Sequence, residues 1–268
     1  MDHTLLENIM KSGEFFYRKM ADKFYEKNGI KGWITGSDHK YLNSVISSNV
    51  KQPFIPSAIK EVQTFFNNKN VPWSWVITPL CKPDNLEQIL EDNDLVFLSS
   101  HATLWYDLQE SDIPEVPEGF EIREVVNDAK LKEWNIPLSE GFPSENDPSR
   151  FFQLTAKIPF GGNSSFHHYV AYLKGKPISC ATLSISQYGA RLDNVATIKS
   201  HLRKGFARAI TLFAMKEARK FSCKIISLDA SDTGILLYKN LGFQEAYQNK
   251  VYISSTTHKK IQGYDLKL

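Results

Sequence analysis

Cysteine is scarce in this chain. Cys81, Cys180 and Cys223 are odd in number, far apart and without a CxxC pair among 268 residues. That argues against a disulfide framework and against a Cys-rich zinc site. Long apolar runs are missing too: none approaches the ~20 residues that a membrane-spanning helix needs, and mean hydropathy is −0.33. The opening MDHTLLENIMKSGEFFYRKM mixes charges through its apolar positions and has no signal-peptide h-region. Neither sign of charge dominates. Lys+Arg number 32 and Asp+Glu 30, a net +2 that gives no general case for a nucleic-acid or anionic-membrane partner. Walker A, GxGxxG, low-complexity tracts and a detectable internal repeat are all absent. The expectation is a soluble protein of a reducing cytoplasm, with its oligomeric state open.

The length fits one large domain or two small ones, and 42% apolar with 23% charged residues is globular. The Pro- and acid-rich stretch QESDIPEVPEG, 109–119, reads as a connector. It divides the chain into an N-terminal α/β domain, 1–112, and a second domain, 117–268. In the first, Leu5, Leu6, Ile9, Met10, Phe16, Met20 and Phe24 predict a helix that stops at Asn28-Gly29. A helix at 58–66, a strand at 71–79 (VPWSWVITP), a short helix (NLEQIL) and two strands (DLVFLSS, HATLWYDL) follow. Trp73, Trp75 and Trp105 read as packing aromatics.

In the second domain, GFEIREV is an alternating strand and Asn127 or Asp128 caps the next helix. FHHYVAYLKGKPISCATLSISQYG is a hairpin turning at Lys174-Gly175-Lys176. RLDNVATI is a strand, 207–221 a helix with Ala207, Ile210, Phe213, Ala214, Ala218 and Phe221 on one face, and KIISLDA (224–230) a buried-type strand; Cys180 and Cys223 are expected in strand interiors, as buried, inert thiols rather than nucleophiles. A short helix ends at Gly242, and GFQEAYQNKVYIS supplies the last strands.

The chemistry-bearing unit is the strand, the loop KSHLRKGF and the helix after it. Backbone N–H groups at a helix start lack partners and carry partial positive charge. Gly205 and Ala207 admit close approach, and Arg203, Lys204 and Arg208 add formal charge. The combination suits a pyrophosphate, although an ordinary strand–helix turn with a solvated basic edge has the same composition.

Downstream context adds specificity. Gly205 and Ala207 fit the last two positions of Gln/Arg-x-x-Gly-x-Gly/Ala, with Leu202 where Gln or Arg is usual. Val195-Ala196-Thr197 precedes the loop, and Leu237-Tyr238-Lys239-Asn240-Leu241-Gly242-Phe243 fits Leu-Tyr-x-x-x-Gly-Phe. In this order and spacing, 119–254 resembles the GNAT superfamily of acyl-CoA-dependent N-acyltransferases. The resemblance implies a mixed, mainly antiparallel sheet flanked by helices. It implies that Val195, Ala196 and Thr197 lie along the pantetheine arm of acetyl-CoA. Arg203, Lys204, Gly205, Phe206, Ala207 and Arg208 would hold its pyrophosphate. Ser231 stands where an Asn often contacts the cofactor, and Tyr238 would protonate the departing thiolate. The alternative for Tyr238 is a core-edge aromatic.

The base is less defined. Some members carry a Glu at the position of Arg191, which cannot accept a proton. Strand alternation predicts one face shared by Arg191, Asp193, Val195 and Thr197, which makes Asp193 the nearest carboxylate. A strand-paired surface aspartate is the alternative. His167-His168 point oppositely, so one at most faces a cleft, and they lack metal partners of suitable spacing. Glu140 is another candidate. The acceptor is an amine on a small molecule or peptide, and its specificity is expected in 131–160. The first domain's tail faintly resembles the degenerate N-terminal half of two-part GNAT proteins. Against direct transfer in a ternary complex stand a catalytically silent acyl-CoA-binding or regulatory module and a nucleotide-binding α/β protein.

Overall fold

The computed structural model describes residues 1–109, 112–142 and 150–255. Its two compact units are interleaved along the chain, unlike the consecutive division expected at 112/117. Unit one is Met1–Met20 with Thr103–Ala246; unit two is Ala21–Ala102 with the chain from Tyr247 onward.

In unit one, helix α1 (His3–Met20) is followed by the end of strand β5 (Leu95–Asp107), β6 (Glu121–Glu124), α4 (Asp128–Gly141) and α5 (Arg150–Ala156). Then come β7 (Phe166–Leu173), β8 (Lys176–Ser186), β9 (Gly189–Thr197), α6 (Phe206–Lys220), β10 (Ile225–Ala230), α7 (Ile235–Asn240) and the start of β11 (Gln244–Ser254). The strand order is β5-β10-β9-β8-β7-β6. Pairs β6/β7, β7/β8 and β8/β9 are antiparallel, and β9/β10 is parallel. Asn127 caps α4 by accepting from the Lys130 N–H at 3.0 Å.

Successive strand residues face opposite ways. His168 packs on Trp134 of α4 at 4.7 Å and Tyr169 on Phe213 of α6 at 5.1 Å, so the two helices cover opposite faces. Phe166 shares the His168 face and stacks on Phe15 at 5.8 Å, which puts α1 on the α4 side. There Trp134 is fully buried among Val125, Leu131, Leu138, Val170, Cys180 and Ala196, and its indole N–H donates to the Ala181 carbonyl at 3.1 Å.

Unit two holds β1 (Lys23–Lys27), β2 (Ile30–Ile34), β3 (Ser44–Ser48), α2 (Ile55–Asn67), β4 (Ser74–Ile77), α3 (Leu86–Glu91), the start of β5 and the end of β11. Its order is β1-β2-β3-β4-β11-β5; β1/β2, β2/β3 and β4/β11 are antiparallel and β3/β4 is parallel. Phe66 of α2 stacks on Trp73 at 4.7 Å, and Trp75 lies fully buried in the same core. Both units are therefore mixed, mainly antiparallel sheets flanked by helices.

Several expectations change at this level. The first helix stops at Met20, and Phe24 lies on β1. Asn28-Gly29, with φ of +54° and +76°, is the two-residue turn of the β1–β2 hairpin rather than a helix stop. The two strands expected around residue 100 are the single β5, and the last strands are the single β11. Cys223 lies in the turn after α6. On α6, Phe221 is exposed, and Phe206, Ala209 and Met215 join Ile210, Ala214 and Ala218 in the buried face.

One series of elements occurs twice. Strand, strand, strand, helix, strand, helix, strand describes both β1-β2-β3-α2-β4-α3-β5 and β7-β8-β9-α6-β10-α7-β11. The last strand of each series crosses over: the end of β5 sits beside β10, and the end of β11 beside β4. A fragment of residues 117–268 lacks α1 and β5. Phe166 and Ser227 would then lose the cover of α1, and β10 would present a bare edge. That fragment should be insoluble or lack cooperative unfolding by circular dichroism. A monomeric fragment with a sharp thermal transition would contradict the interleaved packing.

Candidate active site

The site is built where β9 and β10 stop pairing. Their ladder covers two residue pairs, Ile226↔Ala190 and Ser227↔Arg191. Beyond Arg191, β9 runs on to Thr197 with no strand pairing on that edge among the described residues. On its other edge it stays paired to β8, with Thr182↔Asp193 and Cys180↔Ala196. Three steps along β9 thus match two along β8, which makes a β-bulge with one extra residue. Asn194 supplies the turn at φ +58°, a conformation Asn tolerates. Its side-chain amide donates to Thr182 Oγ1 at 3.1 Å, and Cys180 Sγ bonds its carbonyl at 3.4 Å.

The bulge resets the alternation. Directly opposed residues share a face, so Arg191, Asp193 and Ala196 go with Ser184, Thr182 and Cys180. Thr197 goes with Ser179 on the other face, where their hydroxyls lie 2.9 Å apart. The common face expected for Arg191, Asp193, Val195 and Thr197 therefore breaks at the bulge, and Val195 sits within it, half-buried.

After β9, a short 3-10 turn (Lys199–His201) leads into an exposed loop. Arg203 and Gly205 both take positive φ, +60° and +87°, and Gly205 is the N-cap residue of α6. A side chain at Gly205 would meet Phe120 at 3.3 Å as well as the unfavourable φ. Phe206 anchors the first turn, buried against Phe120 at 4.8 Å and His201 at 5.9 Å. Ala207 and Arg208 are half-buried beside it, and Lys204 bends back to the Ser200 carbonyl at 2.9 Å. Leu202 is exposed. Glu140, at the end of α4, accepts from the Lys199 N–H at 2.5 Å, so it braces the loop.

At the end of β10, Ser231 Oγ accepts from Gly234 N at 3.2 Å and lies 3.2 Å from Thr233 Oγ1, which orders the turn into α7. Tyr238 follows on α7. Its ring lies edge-on to Phe243 at 5.8 Å and packs close to Gly234, where a Cβ would meet Ser231 Oγ at 3.1 Å and Tyr238 Cε2 at 3.3 Å. The residue is 8% exposed, and its hydroxyl has no hydrogen-bond partner among the described residues. Burial, with the charge of Asp193, pushes the phenol above its ordinary range, so it carries its proton at any working pH.

The base of the opening holds an ionic network. Arg191 Nε donates to both oxygens of Asp193 at 3.2 and 3.0 Å, and one terminal nitrogen donates to Asp229 Oδ2 at 2.6 Å. Thr103 of β5 donates to the other Asp229 oxygen at 2.6 Å. Burial works against the Arg191 charge, but Asp193 and Asp229 outweigh it and hold the guanidinium charged. Burial pushes the Asp193 carboxyl up to about 6; Arg191 pulls it down and Asp229 pushes it up. The folded state thus binds this proton more tightly than the unfolded chain. Its contribution to stability is full below the unfolded carboxylate value near ~4 and is lost as pH rises through about 6.

The other candidates are placed differently. His167 and His168 do point to opposite faces, yet both are buried. His167 Nδ1 lies 2.7 Å from Glu124, and His168 Nδ1 lies 2.8 Å from Thr182 Oγ1. Burial, helped by His167, pushes the His168 imidazole down to about 3, which keeps it neutral. No group of three potential metal ligands occurs among the described residues. Burial raises the Cys180 and Cys223 thiols, Cys223 to about 11. Of the expected acceptor segment 131–160, residues 143–149 lie outside the described residues. Sequence reasoning missed Asp229, Thr103 and the part Arg191 plays. The available signal is an Asp in IISLDA, a segment that otherwise reads as a buried strand.

Residues 164–245 match the family model of the acetyltransferase (GNAT) domain. The match lies within unit one. It spans β7 to the start of β11 and so includes the parted strands, the loop and Tyr238. A GCN5-related N-acetyltransferase from Kribbella flavida is similar in fold, with TM-score 0.75 and 16% identity over 95% of this chain and 96% of that one. A GCN5-related N-acetyltransferase from Sphaerobacter thermophilus gives TM-score 0.62 and 16% identity over 84% of this chain and 76% of that one. A tandem GNAT protein from the clavulanic acid biosynthesis pathway gives 0.58 and 12% over 84% and 77%. No curated protein sequence matches the chain.

The corresponding place in unit two differs. β3 and β4 also pair at two positions, Ser44↔Ser74 and Val45↔Trp75. Beyond them the chain's own Lys82 takes up the β3 edge: its N–H donates to the Ser48 carbonyl at 2.7 Å, and it bridges Asn49 in parallel. Among the described residues, unit one alone therefore presents a free strand edge leading to a helix start. Acetyl-CoA should bind with a stoichiometry of one per chain by calorimetry. Gly205→Glu and the less strained Arg208→Glu should each raise Kd at least tenfold, about 1.4 kcal/mol. Unchanged Kd in both, with melting temperatures retained, would remove the loop from the binding surface.

Proposed function

We propose that the chain is an N-acetyltransferase that moves the acetyl group of acetyl-CoA directly to an amine in a ternary complex. The observation that carries this reading is the β9 edge left unpaired beyond Arg191, continuous with the positive-φ loop and the start of α6. An extended arm fits beside Val195, Ala196 and Thr197, and phosphates fit the N–H groups and charges from Arg203 to Arg208. Ser231 would meet the donor from the β10 side. Three unbridged cysteines suit a protein working on a cytoplasmic donor pool.

Acetyl-CoA supplies the activated acyl group as a thioester. The amine nitrogen bonds to the carbonyl carbon while the carbon–sulfur bond breaks, giving an amide and free CoA thiol. Asp193 accepts the proton lost by the amine and passes it to solvent. Tyr238 donates its proton to the departing thiolate and regains one from solvent. A phenol above ~10 gives a proton to a thiolate of ~8.5 with no driving force, so this step depends on the hydroxyl being close to the sulfur. With two carboxylates to one guanidinium, the base of the opening carries a surplus negative charge. That favours a cationic acceptor that arrives as an ammonium. A catalytically silent acyl-CoA-binding module is favoured by Leu202 and by the engagement of Ser231 in its own turn; turnover of the thioester against a panel of amines separates the two.

Tyr238→Phe keeps the ring on Phe243 and removes only the hydroxyl. Its kcat should fall by about 10²–10⁴-fold, the range for a positioned general acid, while acetyl-CoA affinity and melting temperature hold. A kcat within threefold of the parent would assign thiolate protonation to water. A large fall in melting temperature would make this tyrosine a packing residue.

A further inference from the structure

Helix α1 precedes unit two in the chain yet packs in unit one, on the face of β9 and β10 that holds the ionic network. Ser12 Oγ lies 2.9 Å from Ser227 Oγ, at the last residue of β10 that pairs with β9. One residue on, Gly13 is buried in the middle of the helix. A Cβ there would lie 3.1 Å from the Arg191 terminal nitrogen Nη1. Glycine is the poorest helix former short of proline, so its presence mid-helix fits the room the guanidinium takes. One turn further, the Tyr17 ring lies 5.6 Å from the Arg191 guanidinium carbon. The guanidinium is thus held on every side: by Asp193 on its own strand, Asp229 across the gap, and Gly13 and Tyr17 above.

We propose that α1 is a working part of the acyl-transfer site, in which Gly13 and Tyr17 are positioning residues that press Arg191 against Asp193 and so set where Asp193 gives up its proton. This rests on the reading of Asp193 as the proton acceptor. The charged and titratable groups facing Asp193 are Arg191 from β9, Asp229 from β10, Tyr17 from α1 and Tyr238 from α7. Thr182, opposite it on β8, is uncharged. Of these, Arg191 alone favours the carboxylate, and Arg191 is the group α1 holds. A small displacement of the guanidinium removes the attraction and leaves the burial and the Asp229 charge, so the Asp193 titration must move upward.

The test is a carbon-13 NMR titration of the aspartate carboxyls in the full chain without substrate, with Asp193→Asn and Asp229→Asn to assign the two coupled signals. The parent Asp193 midpoint is expected near about 6. Gly13→Ala should raise it by about half a unit, roughly threefold tighter proton binding, and Gly13→Val by about one unit, tenfold. Gly13→Ala improves helix propensity, so its melting temperature should hold while the midpoint moves, a combination that loss of structure does not produce. Tyr17→Ala should act like Gly13→Val, Tyr17→Phe, which keeps the ring over Arg191 but loses the hydroxyl's hydrogen bond with it, should fall between Tyr17→Ala and the parent, and Lys11→Ala on the exposed side of α1 should change nothing. The acid limb of kcat/KM, which falls as Asp193 is protonated, should follow the same shifts with acetyl-CoA and the best amine found. Unmoved midpoints in folded Gly13→Ala and Tyr17→Ala would overturn the inference. Shifted midpoints in a protein that acetylates no amine would leave the positioning intact and overturn the acetyltransferase reading.

Discussion

The parting of two parallel strands after a pairing of two residues is the constraint on which the rest of unit one depends. A strand edge inside a sheet normally has its N–H and C=O groups taken by the next strand. Beyond Arg191, β9 gives up that partner, and its exposed edge runs straight to a loop bent by two positive-φ residues and to the start of a fifteen-residue helix. The bulge at Asn194 turns the strand at the same place. Such a gap weakens a sheet unless something joins the strands at its root. Here Arg191 does so, with one side of its guanidinium on Asp193 of β9 and the other on Asp229 of β10. A buried ion network of this kind contributes little net stability, because desolvation offsets attraction. Its value is placement: it fixes a carboxylate of raised proton affinity close enough to Tyr238 for its charge to be felt there.

The two halves show what the free edge means. Each has three antiparallel strands, a helix, a parallel strand, a helix and a last strand. In unit two the segment around Lys82 fills the gap that unit one leaves open, and the helix behind it starts with Pro56 in its first turn rather than a cluster of basic residues. We read unit two as a degenerate copy of the same design. In that reading it has kept the packing function, with Trp73 and Trp75 in its core, and has lost the binding edge. Exchange of the last strands, β5 and β11, makes each unit incomplete without residues from the other half of the chain.

The second half of the sequence was the more legible because its patterns are strong and local. The hairpin around Lys174-Gly175, the strand–loop–helix at 189–220 and the cap at Asn127 each carry their own signal. The proposal for Tyr238, Gly205 and the strand before the loop rests on motif order. In the first half, Phe16, Met20 and Phe24 keep helical spacing through the point where the helix ends. The Asn-Gly turn, which signals a hairpin, was therefore read as a helix stop. The bulge at Asn194 was hidden because alternation assumes an uninterrupted ladder. Most of all, the apolar face of α1 shows that the helix is buried but not what it is buried against. The contact of Gly13 and Tyr17 with a residue about 175 positions away is a property of the folded chain alone.

The central claim is that the β9 edge and the loop after it form the donor surface. Hydrogen–deuterium exchange of the full chain with and without saturating acetyl-CoA tests it most directly. The account predicts that acetyl-CoA slows exchange at amides 194–198 and 203–208, with no change at 78–83 or at the start of α2. Protection confined to unit two, or absent from both segments of unit one while calorimetry records binding, would contradict it.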